Sequence, residues 1–492
     1  MRKWLVIVTV IFDLLAVGIV PLNLLFINMP EFVSIILGLF IIILNVLVWI
    51  KIKKKVPGKI VLSFFSIIFI LFSLFGSFCN PYWNSLSWKK YASYYSKSYD
   101  YVLTYDEAVQ DLEYAMKYLN KLHPALYHGM PSELEAQYEA VKENLKGYEQ
   151  ITVCTLSREM ESIFALIGDG HTHVMGYYQD SHFLKYIYEH NKAGDSLIKI
   201  DGMTIQDLFD ANRKYYSYES EAYAINSIYN DIYSLEGLNY LGFHPDKGVE
   251  YTYETKNGKE ENYTFYTEDY VRWEEYVAFN NLENNSNEND SFVSYEIDSE
   301  NDIAILYLDS CDNNDEYRSA LKNMFTEIKE NNIKNVAVDL RYNGGGDSSV
   351  ATEFLKYIDV DAYKEWGDIW RFGIFEFESK AHVRQNEKIE NLLFDGNVYI
   401  LTSVNTFSAA MDFAMYIGDN GIGTIIGEAS GNDPNSYGQI ACFKLPNSEL
   451  LMQISTKKWY RIDTETTDRF IEPDIKCDSK DAKDELYKVI GK

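Results

Sequence analysis

The chain has 492 residues, 73 Asp and Glu against 45 Lys and Arg, and a formal net charge of −28. That length allows two or three domains, each with its own core. The charge excludes nucleic-acid binding through phosphate contacts, which need a basic face. Five cysteines (Cys79, Cys154, Cys311, Cys442, Cys477) are odd in number, far apart and without Cys-x-x-Cys. They indicate neither a zinc site nor a dense disulfide framework, although one pair could bridge in an exported domain.

Residues 1–78 carry three apolar runs, about Trp4 to Phe26, Phe32 to Ile50 and Ile60 to Phe78. Each is close to the length of a membrane-crossing helix. A signal peptide competes for the first run, but no small-residue cleavage site follows, so a retained three-helix anchor is expected. Arg2 and Lys3 precede the first run, and Lys51, Lys53, Lys54, Lys55 and Lys59 lie between the second and third. Positive loops stay in the cytoplasm, which places the N-terminus inside and the chain after about residue 79 outside. That outer part has 38 basic and 71 acidic residues, a net of −33. Asp13 lies within the first run, where a charge is costly, and no role is assigned to it.

Residues 79–103 read as a juxtamembrane connector rich in Trp and Tyr. A helical domain follows over 104–178, with helices from Thr104 to Leu122, Ser132 to Leu145 and Thr155 to Leu166. It ends in Gly168-Asp169-Gly170-His171-Thr172-His173, a tight turn that presents an imidazole. Idle surface histidines are the alternative. A metal site is not expected, because no second His or Cys cluster accompanies the His-x-His.

Residues 179–280 read as a β-rich module. Its hairpins are Asp195 to Ile205 and Tyr251 to Tyr266, the second turning at Asn257-Gly258. Tyr215 to Tyr240 between them reads as helix. Asn280 to Asp290 is a polar joint. From 291 to 492 strands and helices alternate: strand 303–308, helix 316–329, strand 335–340, helix 349–357, strand 398–401, helix 408–417 and strand 423–426. That rhythm predicts an α/β sheet with crossover helices and a site at the strand C-terminal ends. Ser408 and Gly344-Gly345-Gly346 both fall just after strands. Ser408 fits an exposed nucleophile at a strand-to-helix turn, and equally an ordinary helix N-cap.

The ordered set Asp339 to Gly346, Thr406 to Ala410, Ile426-Gly427-Glu428 and Glu472-Pro473-Asp474-Ile475 resembles the C-terminal-processing and tricorn-type serine peptidases, the tail-specific protease family. The resemblance covers roughly residues 104 to 478. It implies a core of crotonase type (ClpP/crotonase) and a PDZ-like role for the β module, with peptide capture by strand addition. The branch that uses a lysine base would place it in Ala429 to Gln439, which has none. The tricorn-like branch uses a histidine in an Asp-x-His-Thr turn, matched by His171. The resemblance thus implies Ser408 as nucleophile and His171 as base. Backbone N–H groups of Gly344 or Gly345 and of Ala409 would form the oxyanion hole. An acid near the C-terminus would orient His171, Asp468 first and Glu465 second.

The expected protein is a membrane-anchored serine endopeptidase acting on peptides or proteins outside the cytoplasm, without metal or cofactor. The alternative is a catalytically inactive peptide-binding or sensor protein that keeps the fold. A working base and acid separate the two.

Overall fold

The computed structural model describes residues 2–24, 31–53, 55–78, 80–82, 84–86, 94–280 and 291–491. Three helices open the chain: α1 (Arg2–Leu24), α2 (Glu31–Lys51) and α3 (Val56–Phe78). Phe32–Lys51 and Val56–Gly76 are long and apolar enough to cross a membrane, whereas the apolar part of α1, Trp4–Gly18, is shorter. Polar side chains on these helices turn to one another. Ser66 donates to Asp13 at 2.8 Å and Ser73 to Ser34 at 3.1 Å, both inside the bundle. Apolar side chains such as Phe64 and Leu71 stay outward.

Cys79 alone separates α3 from a segment fixed to the rest of the protein. Tyr82 is fully buried, donates to the Arg371 carbonyl at 3.2 Å and accepts from Trp370 Nε1 at 2.8 Å. Lys121 caps the Asn80 carbonyl at 3.2 Å, and the Leu86 N–H bonds the Cys442 carbonyl at 2.7 Å. Buried aromatic and backbone contacts hold the described part of the juxtamembrane connector. Cys79 itself and the joint at 281–290 lie outside the described residues. Cys154, Cys311, Cys442 and Cys477 are free thiols.

The helical module consists of α4 (Tyr105–Leu122), α5 (Ser132–Gly147) and α6 (Val153–Phe164). Thr104 and Glu107 form a capping box that starts α4. The module then leaves helix geometry at Gly168 (φ 67°) and enters β1 (His173–Met175). The β module is a four-stranded sheet built around β2 (Ser196–Ile200) and the hairpin β3 (Val249–Glu254) and β4 (Glu260–Phe265). The tyrosine-rich stretch is two helices, α7 (Glu221–Asp231) and α8 (Leu235–Leu241). They break at 232–234, where Ser234 caps the second helix and a Cβ on Gly237 would meet the Asp231 backbone at 2.3 Å.

The C-terminal core has two main sheets and a two-stranded ribbon of Ala362–Glu365 with His382–Gln385. In the first, antiparallel β5 (Val293–Asp298) edges a parallel run of β6 (Ile303–Leu308), β7 (Asn335–Asp339), β10 (Asn397–Thr402), β11 (Thr424–Gly427) and β14 (Ile475–Lys476). Strands β6, β7 and β10 are apolar on both faces because both are covered. On one side lie α9 (Asp315–Asn331), α10 (Ser349–Leu355) and α11 (Ala409–Asp419), on the other α12 (Ala482–Ile490). The second sheet contains β8 (Gly367–Phe372), β9 (Phe375–Ser379), β12 (Tyr437–Lys444) and β13 (Leu451–Tyr460). Strand β1 adds to it by pairing with β13, Gln453 opposite His173. The turn that ends the helical module is thereby fixed to the core.

Candidate active site

Ser408 follows β10 and opens α11. Its φ of 55° and ψ of −125° lie where side-chain-bearing residues are rarely found, and its hydroxyl makes no cap bond to the helix. An ordinary N-cap would be extended and would bond the first turn, so that reading is set aside. The surroundings hold the strained backbone in place. The Ser408 N–H donates to fully buried Asn432 Oδ1 at 2.7 Å, the Phe407 N–H to the Asn343 carbonyl at 3.1 Å, and the Asp412 N–H to the Ser408 carbonyl at 2.9 Å. Thr406 Oγ1 ties the loop to the Leu340 carbonyl at 2.9 Å.

The Asp339 to Gly346 stretch leaves β7 beside this turn. Arg341 clamps Asp339 (2.7 Å) and reaches the Ser479 carbonyl (2.8 Å), which fixes the strand end. Gly345 (φ 105°) is pressed on the serine turn: a Cβ there would lie 2.6 Å from Ser408 Cβ and 2.9 Å from Ala409 N. Its N–H is already donated to Asn343 Oδ1 at 2.8 Å. This corrects the expectation that Gly345 offers an oxyanion donor, and Gly344 is exposed and off the cavity wall. Among the described residues the Gly346 and Ala409 N–H groups have no hydrogen-bond acceptor. Gly346 lines the same cavity, of about 300 Å³, as Ser408 and His171.

His171 reaches that cavity from the helical module because its turn is stitched to β13. Gln453 donates to the His171 carbonyl at 3.0 Å, and buried Thr172 Oγ1 accepts from the Ser455 N–H at 2.9 Å. The imidazole packs on Phe407, the neighbour of Ser408, with ring centroids 4.7 Å apart. Both ring nitrogens are buried and without a hydrogen-bond partner among the described residues, and Ser408 Oγ is not bonded to them. Among the described residues no lysine lines this cavity.

Three acids face the imidazole. Asp169 is fully buried, accepts the His171 backbone N–H on Oδ1 at 2.9 Å and stands 3.6 Å from Nδ1, a charge contact longer than a hydrogen bond. Its other oxygen accepts from buried His123 Nε2 at 3.0 Å; His123 Nδ1 accepts from the Ala125 N–H, so the proton is on Nε2. Glu219 accepts from the Gly170 N–H at 3.1 Å, and its second oxygen is an unpartnered buried acceptor. Asp412, one helical turn after Ser408, accepts from Ser348 Oγ at 2.7 Å.

Burial opposes charging of His171, but Asp169, then Glu219 and Asp412, outweigh it and hold the imidazole above its ordinary value. Burial likewise opposes ionisation of Asp169, yet His123 and His171 keep its carboxyl well below the usual range. Glu219 is pushed up to about 8 by burial and by the Asp169 charge, and Asp412 to about 6 by burial. Asp169, His171 and Glu219 each bring one ligand atom within 4.8 Å of the others. That spacing could hold a divalent ion.

The C-terminal acids are elsewhere. Asp468 and Glu465 are exposed, and neither side chain contacts His171. Buried Arg461 pairs with Asp419 at 2.8 Å and draws in the carbonyls of Asp468 (2.8 Å) and Phe470 (3.0 Å), leaving the carboxylates of this loop in water. Asp169, Glu219, Asn343 and Asn432 were not singled out from sequence. Only Asp169 had a visible signal, its place in the histidine turn.

The family model described as Peptidase family S41 matches residues 302–477. Among solved structures, mature CPAF complexed with lactacystin superposes with a TM-score of 0.56 at 12% identity, over 79% of this chain and 97% of that one. Mature CPAF gives 0.56 at 12% over 79% and 96%, and a CPAF mutant 0.57 at 13% over 79% and 96%. At these identities the likeness is one of fold, and it extends well beyond the matched domain. No curated protein matches the chain by sequence.

Proposed function

We propose that this chain, whose residues 302–477 form a serine peptidase domain of family S41, is a membrane-anchored endopeptidase with Ser408 as nucleophile and His171 as base. The observation that carries the reading is the strained, uncapped Ser408 facing one cavity with a histidine that three acids keep basic. His171 takes the Ser408 proton as Oγ attacks the peptide carbonyl, then returns it to the leaving amine. The Ala409 N–H and, in place of Gly344 or Gly345, the Gly346 N–H receive the developing oxyanion. Asp169 replaces Asp468 and Glu465 as the acid that orients His171 and stabilises the imidazolium. The Ser408–His171 hydrogen bond forms as substrate closes the site.

The paired sheets and their helix layers support the crotonase-type reading of the core. The polar seams between α1, α2 and α3 support a three-helix anchor, and the lysines between α2 and α3 support a cytoplasmic N-terminus. Substrates are then peptides or proteins on the outer side, captured by strand addition at the β module. The inactive alternative draws on the missing Ser408–His171 bond.

A fluorophosphonate probe on the intact protein in detergent separates the two. Labelling of Ser408 that His171→Ala abolishes, with the fold retained, is expected; no labelling of folded wild type would sink the peptidase reading.

A further inference from the structure

A second cavity, of about 430 Å³, lies between the helical and β modules, within the size range of small-molecule sites. The histidine turn separates the two cavities: Gly170 and His173 line this one, His171 the other. Its wall carries the carboxyl groups of Glu161, Asp231 and Glu236 and no lysine or arginine. The rest mixes five serines and Asn230 with aromatic rings, among them Tyr178, Tyr215, Tyr216, Tyr223 and Tyr240, Tyr216 and Tyr240 edge to face at 5.9 Å.

Most of the polar groups are already engaged. Glu236 accepts from the His182 backbone at 3.1 Å and meets its Nδ1 at 2.9 Å. Glu161 accepts from the Val174 N–H at 2.9 Å. Asp231 Oδ2 accepts from Tyr216 OH at 2.6 Å, while Oδ1 has no hydrogen-bond partner among the described residues. His173 Nε2 is buried and unpartnered. Arg158 is off the cavity wall: it lies over the Tyr215 ring at 4.1 Å and donates from Nη2 to Asn212 at 3.0 Å, its Nε buried without a partner among the described residues. Two acceptors stay open, a carboxylate oxygen without a cation and an imidazole nitrogen, framed by rings whose faces attract positive charge; the Asn230 amide and the Tyr178, Tyr215 and Tyr223 hydroxyls on the same wall are uncharged and both donate and accept. An anion would be repelled, and a neutral ligand would leave Asp231 without a counter-charge.

We propose that this cavity binds an organic primary ammonium group, anchored on Asp231 with His173 Nε2 as a second acceptor and its apolar part among the tyrosines. Burial pushes the Asp231 carboxyl up to about 6 and the Glu161 carboxyl up to about 8. An arriving cation favours the ionised carboxylates. Two sources carry the chemistry, a free small amine and the N-terminal ammonium of a peptide.

The test is calorimetric titration of the full chain in nanodiscs, carrying Ser408→Ala so that nothing is consumed; the site is independent of the Ser408–His171 reading. The probes are 2-phenylethylamine, its neutral analogue 2-phenylethanol, and one pentapeptide with a free or an acetylated N-terminus. The amine or the free peptide should bind about tenfold or more tightly than its neutral counterpart, and Asp231→Asn should remove that advantage. Binding of the amine alone identifies a free amine as the source; binding of the free peptide alone identifies a peptide end. If Asp231→Asn does not fold, Ser227→Phe, which fills the cavity from α7, should abolish binding instead. Equal affinity for charged and neutral probes, no binding of either ammonium probe, or unchanged binding in the folded variant would overturn the proposal.

Discussion

Asp169→Asn removes the charge of the histidine turn at nearly unchanged size, and one acceptor with it: the amide oxygen can keep the His171 N–H, while the amide NH2 replaces the oxygen that accepts from His123 Nε2. The Asp169 carboxylate lies 3.6 Å from His171 Nδ1. At an effective dielectric of about 20, that separation corresponds to roughly 5 kcal/mol of attraction for a fully charged imidazolium. Proton transfer from Ser408 creates that imidazolium, so the transition state loses most of this term while the resting neutral imidazole does not. At 1.36 kcal/mol per decade the acylation rate should fall about 10²- to 10⁴-fold. The sign of the pH effect is separate. Asp169 holds the His171 value up; without it the imidazole gives up its proton at lower pH, so the acid limb of the rate profile moves to lower pH as the plateau drops. The measurement is the pseudo-first-order rate of fluorophosphonate labelling from pH 5 to 9, with circular dichroism and a thermal melt as checks on folding. A folded variant with an unchanged rate and an unmoved acid limb would refute Asp169 as the orienting acid.

Ser408→Gly should abolish labelling yet raise stability, because glycine relieves the φ of 55°; relief of about 1–3 kcal/mol less about 1 for glycine entropy leaves a Tm gain of a few degrees. Gly345→Ala should cost more than 10²-fold in labelling and lower the Tm, since its Cβ meets backbone and Ser408 Cβ at under 3 Å; wild-type behaviour would mean the loop is not packed on the serine as described. Stability of the wild type should fall as pH rises from about 5 to 8. Glu161 and Glu219 are held near 8 and Asp231 and Asp412 near 6, so over that range the unfolded chain has lost protons that the fold retains. Glu161→Gln should flatten the slope in urea melts; a variant with the wild-type slope would show that Glu161 is ionised in the fold.

Much of this protein is legible in its sequence, and the rest fails for physical reasons. Periodicity located α4, α5 and α6 and the strands β6, β7 and β10 because one face or both of each is apolar. The serine and histidine turns were found as local patterns around Ser408 and His171. What the sequence hides is which backbone donors are already taken: Gly345 looks available until the Asn343 side chain is placed on its N–H. Asp468 and Glu465 lie away from His171 because Arg461 draws in the carbonyls of the C-terminal loop, a tertiary effect with no local signature. Strands β8 and β9 have no counterpart among the expected elements, since β8 gains its place only by pairing with the distant β13, and β9 only through β8.

The buried Tyr82 and its bonds to Arg371 and Trp370 join the end of α3 to the sheet that carries the histidine turn. The described residues just past α3 therefore belong to the folded core and add little slack to a tether. Under the function proposed above, a short tether makes reach a selection rule: bonds that their own chain can bring to the serine are cut, without any contact that reads their sequence.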